Sequence, residues 1–297
     1  MIAPVFTHSR CPDHVVRIGH PESPRRIEVL LDRLRGIDAA AVREAEPAAR
    51  SVVERVHPAA YLDRLEAMAR AGGGTLDADT AMNEASFEAA MGGAGATLAA
   101  LESALGGQPA FAAVRPPGHH ALADTAMGFC LLGNVVIAAR EAQTYGIERV
   151  LIVDWDVHHG NGTQALVEQD PAIRFISMHQ WPHWPFSGSR DERGVGNVTN
   201  LPMRAGLPAE AYLETLWSAI QQATDGWTPG AILLSAGFDS MRGDLLGGFT
   251  LEPEHYATWV GRIRTAFPEV PLMAVLEGGY VPHRLADGAE AVVRAMA

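Results

Sequence analysis

Two aspartates and a histidine, Asp154, Asp156 and His158, occupy every second position of one short stretch of this chain. Residues 150–153, just before them, form an unbroken β-branched and apolar run, which is typical of a strand buried on both faces of a parallel sheet. In an extended chain the three side chains project to one side. Carboxylate and imidazole both suit zinc, so the stretch predicts either a divalent-metal cluster or a polar loop after a core strand.

Apolar runs alternate with helical stretches from residue 110 onward, which predicts repeated βα units. We expect strands at residues 110–114, 150–153, 173–178, 231–235 and 272–276. We expect helices at residues 27–35, 58–70, 85–105, 131–145, 209–224, 253–266 and 283–296. Residues 4–26, with scattered His, Arg and Pro, are typical of an ordered loop. The expected fold class is α/β: an open, mostly parallel multi-stranded sheet with helices on both faces, in one domain over residues 1–297.

Polar residues that a core does not need follow each of the predicted strands. Ligands of open α/β sheets bind at the carboxyl ends of the strands, so these residues are expected to share one site. Asp239, after the fourth strand, is the natural third ligand beside Asp156 and His158, and leaves the open position that catalytic zinc requires. His119 and His120, after the first strand, are both candidate bases, because histidine titrates near neutral pH.

Tyr280 follows two glycines after the last predicted strand. Its hydroxyl could donate a hydrogen bond to a developing oxyanion, or it could be a rim tyrosine bonded to a backbone carbonyl. Together with a metal and paired histidines, it favours amide hydrolysis without a covalent intermediate. A serine or cysteine nucleophile is disfavoured, because the sequence holds no Gly-x-Ser-x-Gly and Cys130 lies in an apolar run.

The composition limits the partners and the location. The formal net charge is −12 and no run of Lys or Arg occurs, which argues against a nucleic-acid groove or an anionic membrane surface. No apolar run is long enough to span a bilayer. Two cysteines are too few for a disulfide framework, and the first residues do not form a signal peptide, so we expect a cytoplasmic location.

The motifs closely resemble those of the histone deacetylase and acetylpolyamine amidohydrolase family, which belongs to the arginase-deacetylase superfamily, with a class II-like pattern. The resemblance covers nearly the whole chain. It is carried by His20-Pro21-Glu22-Ser23-Pro24-Arg25-Arg26, Arg115-Pro116-Pro117-Gly118-His119-His120, Gly128-Phe129-Cys130, Asp154-x-Asp156-x-His158-His159-Gly160-Asn161-Gly162-Thr163, Ala236-Gly237-Phe238-Asp239 and Glu277-Gly278-Gly279-Tyr280. It implies a zinc-dependent amidohydrolase that removes acetyl or other acyl groups from the side-chain amine of lysine.

The resemblance implies a role for each residue of the catalytic set. The Asp-His-Asp group binds one zinc ion per chain. His120 is the general base and then the acid for the leaving amine, while His119 is a supporting imidazole oriented by Asp154. Tyr280 polarises the acyl oxygen.

Other residues receive roles from the resemblance alone. A structural potassium ion is implied, with ligands from Asp154, Asp156, His158, Ser177 and Met178. Substrate-binding positions are Gly128, Phe129, Trp184, Leu246 and Gly278. Arg26 is expected beside an internal cavity beneath the metal, and Asn161 stands where many members have an Asp beside His120, which would make that imidazole less basic.

Three other functions compete with lysine deacylation. The first is acetylpolyamine deacetylation. The polyamine-selective members of the family, however, carry a glutamate at the position where this chain has Leu246. The second is a catalytically silent module that binds acylated ligands, although no metal ligand or tyrosine is lost here. The third is a two-metal arginase-like ureohydrolase, which needs further carboxylates where the resemblance places Gly237-Phe238 and Gly278-Gly279. The expected partner is an acylated lysine in a peptide or protein, or a small acylated amine, and a homo-oligomer is left open.

Overall fold

A parallel sheet of eight strands lies at the centre of the structure, a computed structural model that describes residues 1–17 and 19–297. The strands are β1 (Val5–Thr7), β2 (Val42–Glu44), β3 (Gly73–Thr75), β4 (Ala81–Asn83), β5 (Ala110–Ala112), β6 (Val150–Asp154), β7 (Ile173–Gln180), β8 (Val198–Met203), β9 (Ala231–Ala236) and β10 (Leu272–Leu276). The helices are α1 (Pro24–Ile37), α2 (Arg50–Val53), α3 (Ala59–Arg70), α4 (Ser86–Leu105), α5 (Asn134–Thr144), α6 (Asn161–Val167), α7 (Ala209–Thr224), α8 (Pro253–Ala266) and α9 (Pro282–Met296).

The strand order places the chemistry-bearing strands side by side. The sheet runs β2-β1-β5-β10-β9-β6-β7-β8, and each pair in it is parallel. Every residue of β6, β9 and β10 is buried, as expected for strands covered on both faces. Asp154 at the end of β6 is in register with Ser235 of β9 and Ser177 of β7. The carboxyl ends of these strands therefore meet at one edge of the sheet.

The predicted fold class is confirmed, and all five predicted strands are present. The prediction of a loop over residues 4–26 was wrong at both of its ends. β1 pairs with β2 and β5, and α1 begins at Pro24. A three-residue strand is too short to show alternation, so only its pairing partners define it. The Ser23-Pro24 pair could have predicted the start of this helix, because proline suits the first turn of a helix.

Strands β2 and β8 were also missed, as was the antiparallel pair β3–β4. β2 and β8 are the two edge strands of the main sheet, and edge strands have one unpaired side and mixed burial, which weakens their apolar signal. Within the described residues, no helix combines the length and apolar character needed to cross a membrane. That residues 1–297 form one domain stays a prediction.

Candidate metal centre and active site

Asp156, His158 and Asp239 converge at the ends of β6 and β9. Each offers a ligand atom, these atoms lie within 4.8 Å of one another, and all three residues are buried. His158 Nδ1 lies 3.1 Å from Asp156 Oδ1 and 3.1 Å from Asp239 Oδ2. Neighbouring glycines permit this approach, since a Cβ on Gly237 or Gly278 would run into the Asp156 carboxylate. The structure thus brings together the three residues that the sequence selected as ligands.

The electrostatics of this group fit a bound divalent cation. Burial, followed by the negative charge of Asp156, raises the pKa of Asp239 to about 7, because two buried carboxylates repel each other unless positive charge lies between them. Burial opposes protonation of His158, but hydrogen bonds to Asp156 and Asp239 outweigh it and raise its pKa to about 9. Carboxylate oxygen and imidazole nitrogen are both zinc ligands, and three protein ligands leave the fourth position open, as catalytic zinc requires.

The two adjacent histidines after β5 lie in opposite electrostatic environments. His119 Nδ1 is 3.0 Å from Asp154 Oδ2. Burial disfavours its charged ring, yet Asp156 and Asp154 outweigh burial and raise the pKa of His119 to about 10. For His120, burial, His119 and His158 all act in the same direction and hold its pKa well below the usual 6.5. His120 is therefore neutral at pH 7 and able to accept a proton.

The tautomer of His120 follows from Asn161 at the start of α6. The Asn161 Nδ2 donates to the sulfur of Met127 at 3.4 Å, which turns its amide oxygen toward His120. His120 Nδ1 therefore donates to Asn161 Oδ1 at 2.7 Å. The neutral ring keeps Nε2 as its proton acceptor. His120 also lines the pocket described below.

Glu277, the last residue before the two glycines, holds the backbone of the histidine loop. Its Oε2 accepts hydrogen bonds from the N–H groups of Gly118 at 2.7 Å and His119 at 3.1 Å. Its Oε1 accepts from the Ser235 hydroxyl at 3.2 Å. Because β10 and β5 are neighbours in the sheet, one buried carboxylate links the end of each strand.

Arg26, which is fully buried, contacts Tyr280 and the residue before it. The Arg26 Nε donates to the Gly279 carbonyl at 2.6 Å, and its guanidinium lies 5.1 Å from the centre of the Tyr280 ring. Phe129 meets the same ring edge-on at 5.9 Å. Burial and the carboxylate of Asp239 raise the pKa of Tyr280 well above its usual range, so the phenol stays protonated. A protonated hydroxyl here is a hydrogen-bond donor.

A buried ion-pair cluster supports Arg26 from the other side. Glu22 accepts from Arg26 Nη1 at 2.9 Å, from Arg115 Nε at 2.5 Å and from Arg115 Nη2 at 2.7 Å, and the three side chains are fully buried. Burial alone would raise the pKa of Glu22, but the charge of Arg115 reverses this and holds it well below its usual value. The carboxylate is thus ionised throughout the neutral range.

Glu22→Gln is expected to lower the free energy of unfolding by about 3–5 kcal/mol, because two buried guanidinium groups lose their counter-charge. The pKa of Glu22 is depressed on folding, so its contribution is present above the unfolded value of about 4.5 and lost as pH falls below it. Urea unfolding at pH 7 and pH 4 measures both effects. Glu28→Gln, which removes the exposed partner of Arg25, is the control. Equal unfolding midpoints for both variants would contradict the account.

A pocket of about 580 Å³ opens above the metal group. His120, His158 and Tyr280 line it, together with four of the predicted substrate-binding residues, Gly128, Phe129, Trp184 and Leu246. The Trp184 ring lies edge-on to His120 at 4.7 Å. Gly128 has a φ of +56°, and a Cβ there would meet the His120 and Trp184 rings. The pocket is therefore narrowed by aromatic side chains directly above the histidine.

Gly278 lies outside this pocket lining in the described chain. Its N–H donates instead to Asp156 Oδ2 at 2.8 Å, so it contacts the metal group rather than the pocket wall. Among the predicted potassium ligands, Asp154 and Ser177 are register neighbours, and the Ser177 hydroxyl is 3.0 Å from His179 Nδ1. Arg26, expected beside an internal cavity, packs against the Tyr280 ring.

A sequence profile of the histone deacetylase domain matches residues 20–296. The chain belongs to the histone deacetylase family. The membership of this family that the motifs predicted is confirmed. Membership supports a hydrolase activity of the deacetylase or amidohydrolase type.

Relatives in this family come from bacteria, archaea and eukaryotes. The chain is 39% identical to a histone deacetylase-like amidohydrolase of Pseudomonas aeruginosa over 277 residues, covering 88% of this chain and 73% of that protein. It is 36% identical to a probable deacetylase of Methanothermobacter thermautotrophicus, covering 98% and 90% of the two chains. It is 35% identical to the human polyamine deacetylase HDAC10, covering 90% of this chain and 43% of HDAC10. The crystal structure of the HDA15 HD domain aligns with a TM-score of 0.93 at 31% identity, covering 99% and 90%.

Four residues around the site in this family member were missed by sequence reasoning or given no role: Gln180, His183, Asp244 and Glu277. Glu277 carried a signal, because a carboxylate directly after a buried apolar strand needs a hydrogen-bonding partner. Gln180 is the last residue of β7, and His183 and Asp244 lie in loops without periodicity. Their contacts join segments far apart in the sequence, so no local pattern could reveal them.

Proposed function

We propose that this protein is a zinc-dependent amidohydrolase that removes acetyl or other acyl groups from the side-chain amine of lysine. One observation carries the proposal: the buried group Asp156, His158 and Asp239 underlies a pocket that also presents a neutral His120 and a protonated Tyr280. A metal-ligand set, a base and an oxyanion donor are the parts that direct hydrolysis of an amide requires.

Asp156, His158 and Asp239 would hold the zinc ion. Zinc bound there would supply Lewis acidity toward a water molecule and toward the acyl oxygen. The donor types and the mutual repulsion of the two carboxylates support this assignment. Neither cysteine belongs to this ligand group, and both are free, buried thiols.

His120 is the proposed general base. Its neutral ring, with Nδ1 fixed on Asn161, leaves Nε2 to take a proton from the attacking water and later return it to the leaving amine. His119 is the proposed supporting imidazole, oriented by Asp154. Burial, together with the positive charge of His119 whose ring centre lies 3.9 Å from that of His120, lowers the pKa of His120 and keeps that ring unprotonated before the reaction.

Tyr280 is the proposed oxyanion donor. The acyl carbonyl gains negative charge as water adds, and a protonated phenol donates most strongly to that developing charge. Phe129 and Trp184 are the proposed walls for the aliphatic stem of lysine, because aromatic faces bury methylene groups at little entropic cost. Gly128 leaves room beside Trp184, because a Cβ there would meet the Trp184 ring.

Several finer predictions remain proposals, of which the first two below rest on the resemblance and the others on the composition. They are a structural potassium ion near Asp154 and Ser177, substrate contact at Gly278, a cytoplasmic location, and the absence of nucleic-acid and membrane partners. The substrate is proposed to be an acylated lysine in a peptide or protein, and a homo-oligomer is left open.

Deacetylation of acetylpolyamines is the second candidate, favoured by the 35% identity to a relative named as a polyamine deacetylase. Against it stands Leu246 at the pocket mouth, where a glutamate would be needed to meet the distant ammonium group. An ammonium beside Leu246 loses hydration without gaining a counter-charge there, so Asp79, which also lines the pocket, would have to serve it. A neutral acyl-lysine stem suffers no such loss.

We expect the wild-type protein to show a higher kcat/KM for an acetyl-lysine peptide than for N-acetylputrescine or N8-acetylspermidine. Leu246→Glu should shift this ratio toward the polyamines, because it places a carboxylate at the mouth. The same charge at Val195, an exposed apolar residue outside the pocket lining, is the control, and Val195→Glu should leave the ratio unchanged. A wild-type preference for the polyamines, or no shift in Leu246→Glu, would contradict acyl-lysine selectivity.

A further inference from the structure

Residues 244–248, here called the rim segment, lie between the end of β9 and the mouth of the pocket. Leu246, Gly247 and Gly248 of this segment line the pocket. Two hydrogen bonds tie it to the end of β7 and the loop that follows. The His183 Nε2 donates to the Leu246 carbonyl at 2.9 Å, and Gln180 Oε1 accepts from the Gly248 N–H at 2.8 Å. The rim segment is therefore hydrogen-bonded to the stretch of chain that carries Trp184.

The carboxylate of Asp244 ties the rim segment to Tyr280. Its Oδ1 accepts from the Leu246 N–H at 3.0 Å. Its Oδ2 accepts from the backbone N–H of Tyr280 at 2.7 Å, across 36 positions of sequence. One partly buried carboxylate thus joins Leu246, at the pocket mouth, to Tyr280.

Tyr280 needs such a restraint because of the backbone before it. Gly279 has a φ of +115°, a conformation that side-chain-bearing residues rarely adopt, and Gly278 precedes it. Two glycines leave the chain with little conformational preference of its own. The restraints near Tyr280 include Arg26 on the Gly279 carbonyl and Asp244 on the Tyr280 N–H. Asp244 is the one of these two that binds the tyrosine's own backbone.

We propose that Asp244 is a positioning residue that sets the place of the Tyr280 hydroxyl and, through Leu246, the shape of the pocket mouth. The proposal rests on the proposed function, in which Tyr280 donates to the oxyanion. It adds a residue that touches neither substrate nor metal and acts through the backbone of two others. Displacement of a catalytic group by about 1 Å can cost up to ~10²-fold in rate.

The first test is a double-mutant cycle with an acetyl-lysine peptide as substrate. Asp244→Ala is expected to lower kcat about 10–100-fold in the wild-type background and by less than about 2-fold in the Tyr280→Phe background, because the hydroxyl that it positions is then absent. KM is expected to rise in both backgrounds, since Leu246 loses its restraint. Asp244→Asn, which keeps one acceptor oxygen, is expected to lose less than Asp244→Ala.

The second test does not depend on turnover. Hydrogen–deuterium exchange of the peptide around Tyr280 is expected to speed up in Asp244→Ala, because the amide loses its acceptor. Asp38→Ala removes another carboxylate that accepts from a backbone N–H, that of Ala40, and should change neither exchange at Tyr280 nor kcat.

The outcomes separate this inference from the proposed function. Equal losses of kcat in both backgrounds, or unchanged exchange at Tyr280, would overturn the positioning role of Asp244. A wild-type protein without deacetylase turnover would overturn the proposed function, while the exchange measurement would still decide whether Asp244 restrains Tyr280.

Discussion

Tyr280→Phe is expected to lower kcat for an acetyl-lysine peptide by about 10²–10³-fold, the usual loss for one oxyanion donor. The hydroxyl is protonated, because burial and Asp239 raise its pKa, and its hydrogen bond strengthens only as the carbonyl gains charge. An interaction made mainly in the transition state affects kcat rather than KM. Steady-state kinetics of the purified variant measures the split.

The control for this substitution is Tyr145→Phe, which removes the hydroxyl of an exposed tyrosine at the end of α5. It should leave both constants unchanged. A Tyr280→Phe variant with wild-type kcat would eliminate Tyr280 as the oxyanion donor. A variant with only a raised KM would instead indicate that the hydroxyl binds substrate in the ground state.

His120→Ala is expected to lower kcat/KM by about 10²–10⁴-fold, the range for loss of a general base. The wild-type pH profile should fall on its acid side as His120 takes up a proton and can no longer act as a base. Burial, His119 and His158 hold its pKa well below 6.5, so this limb is expected on the acid side of neutrality. The residual activity of His120→Ala should lack the limb.

Asn161→Asp provides an independent check on the same imidazole. A carboxylate in place of the amide favours the protonated ring, so the pKa of His120 should rise and the acid limb should move toward neutral pH. A limb that stays in place in Asn161→Asp, or that persists in His120→Ala, would assign the titrating group to another residue.

The sequence was sufficient for those parts of the site that lie directly after buried strands. Asp156, His158 and Asp239 follow β6 and β9, and the carboxyl ends of parallel strands share one edge whatever the loops do. Their convergence within 4.8 Å could be expected from position alone. The choice between His119 and His120 could not, because it depends on which ring faces Asp154 and which faces Asn161.

The rest of the site depends on contacts that no local pattern records. Asp244 reaches the Tyr280 N–H across 36 positions, and Glu277 reaches Gly118 across 159. The N–H of Gly278 meets Asp156, because a residue without a side chain can pack directly against the carboxylates, while its substrate contact stays a prediction. Such placements are set by tertiary packing, which sequence periodicity does not encode.

The short strands show the same limit in the fold. β1 has three residues, and its identity as a strand comes from pairing with β2 and β5 on either side. Long apolar strands such as β6 and β9 could be predicted, because burial on both faces requires a continuous apolar run. A strand defined mainly by its neighbours carries too little signal of its own.

Metal content measured together with turnover tests the central claim most directly. Protein stripped by a chelator should lose turnover of an acetyl-lysine peptide, and about one equivalent of zinc per chain should restore both metal content and activity. Asp239→Ala should bind zinc far more weakly, since even loss of a supporting contact commonly costs about 10–100-fold in affinity. Full activity in the stripped protein, or full metal content and activity in Asp239→Ala, would contradict a zinc-dependent amidohydrolase built on Asp156, His158 and Asp239.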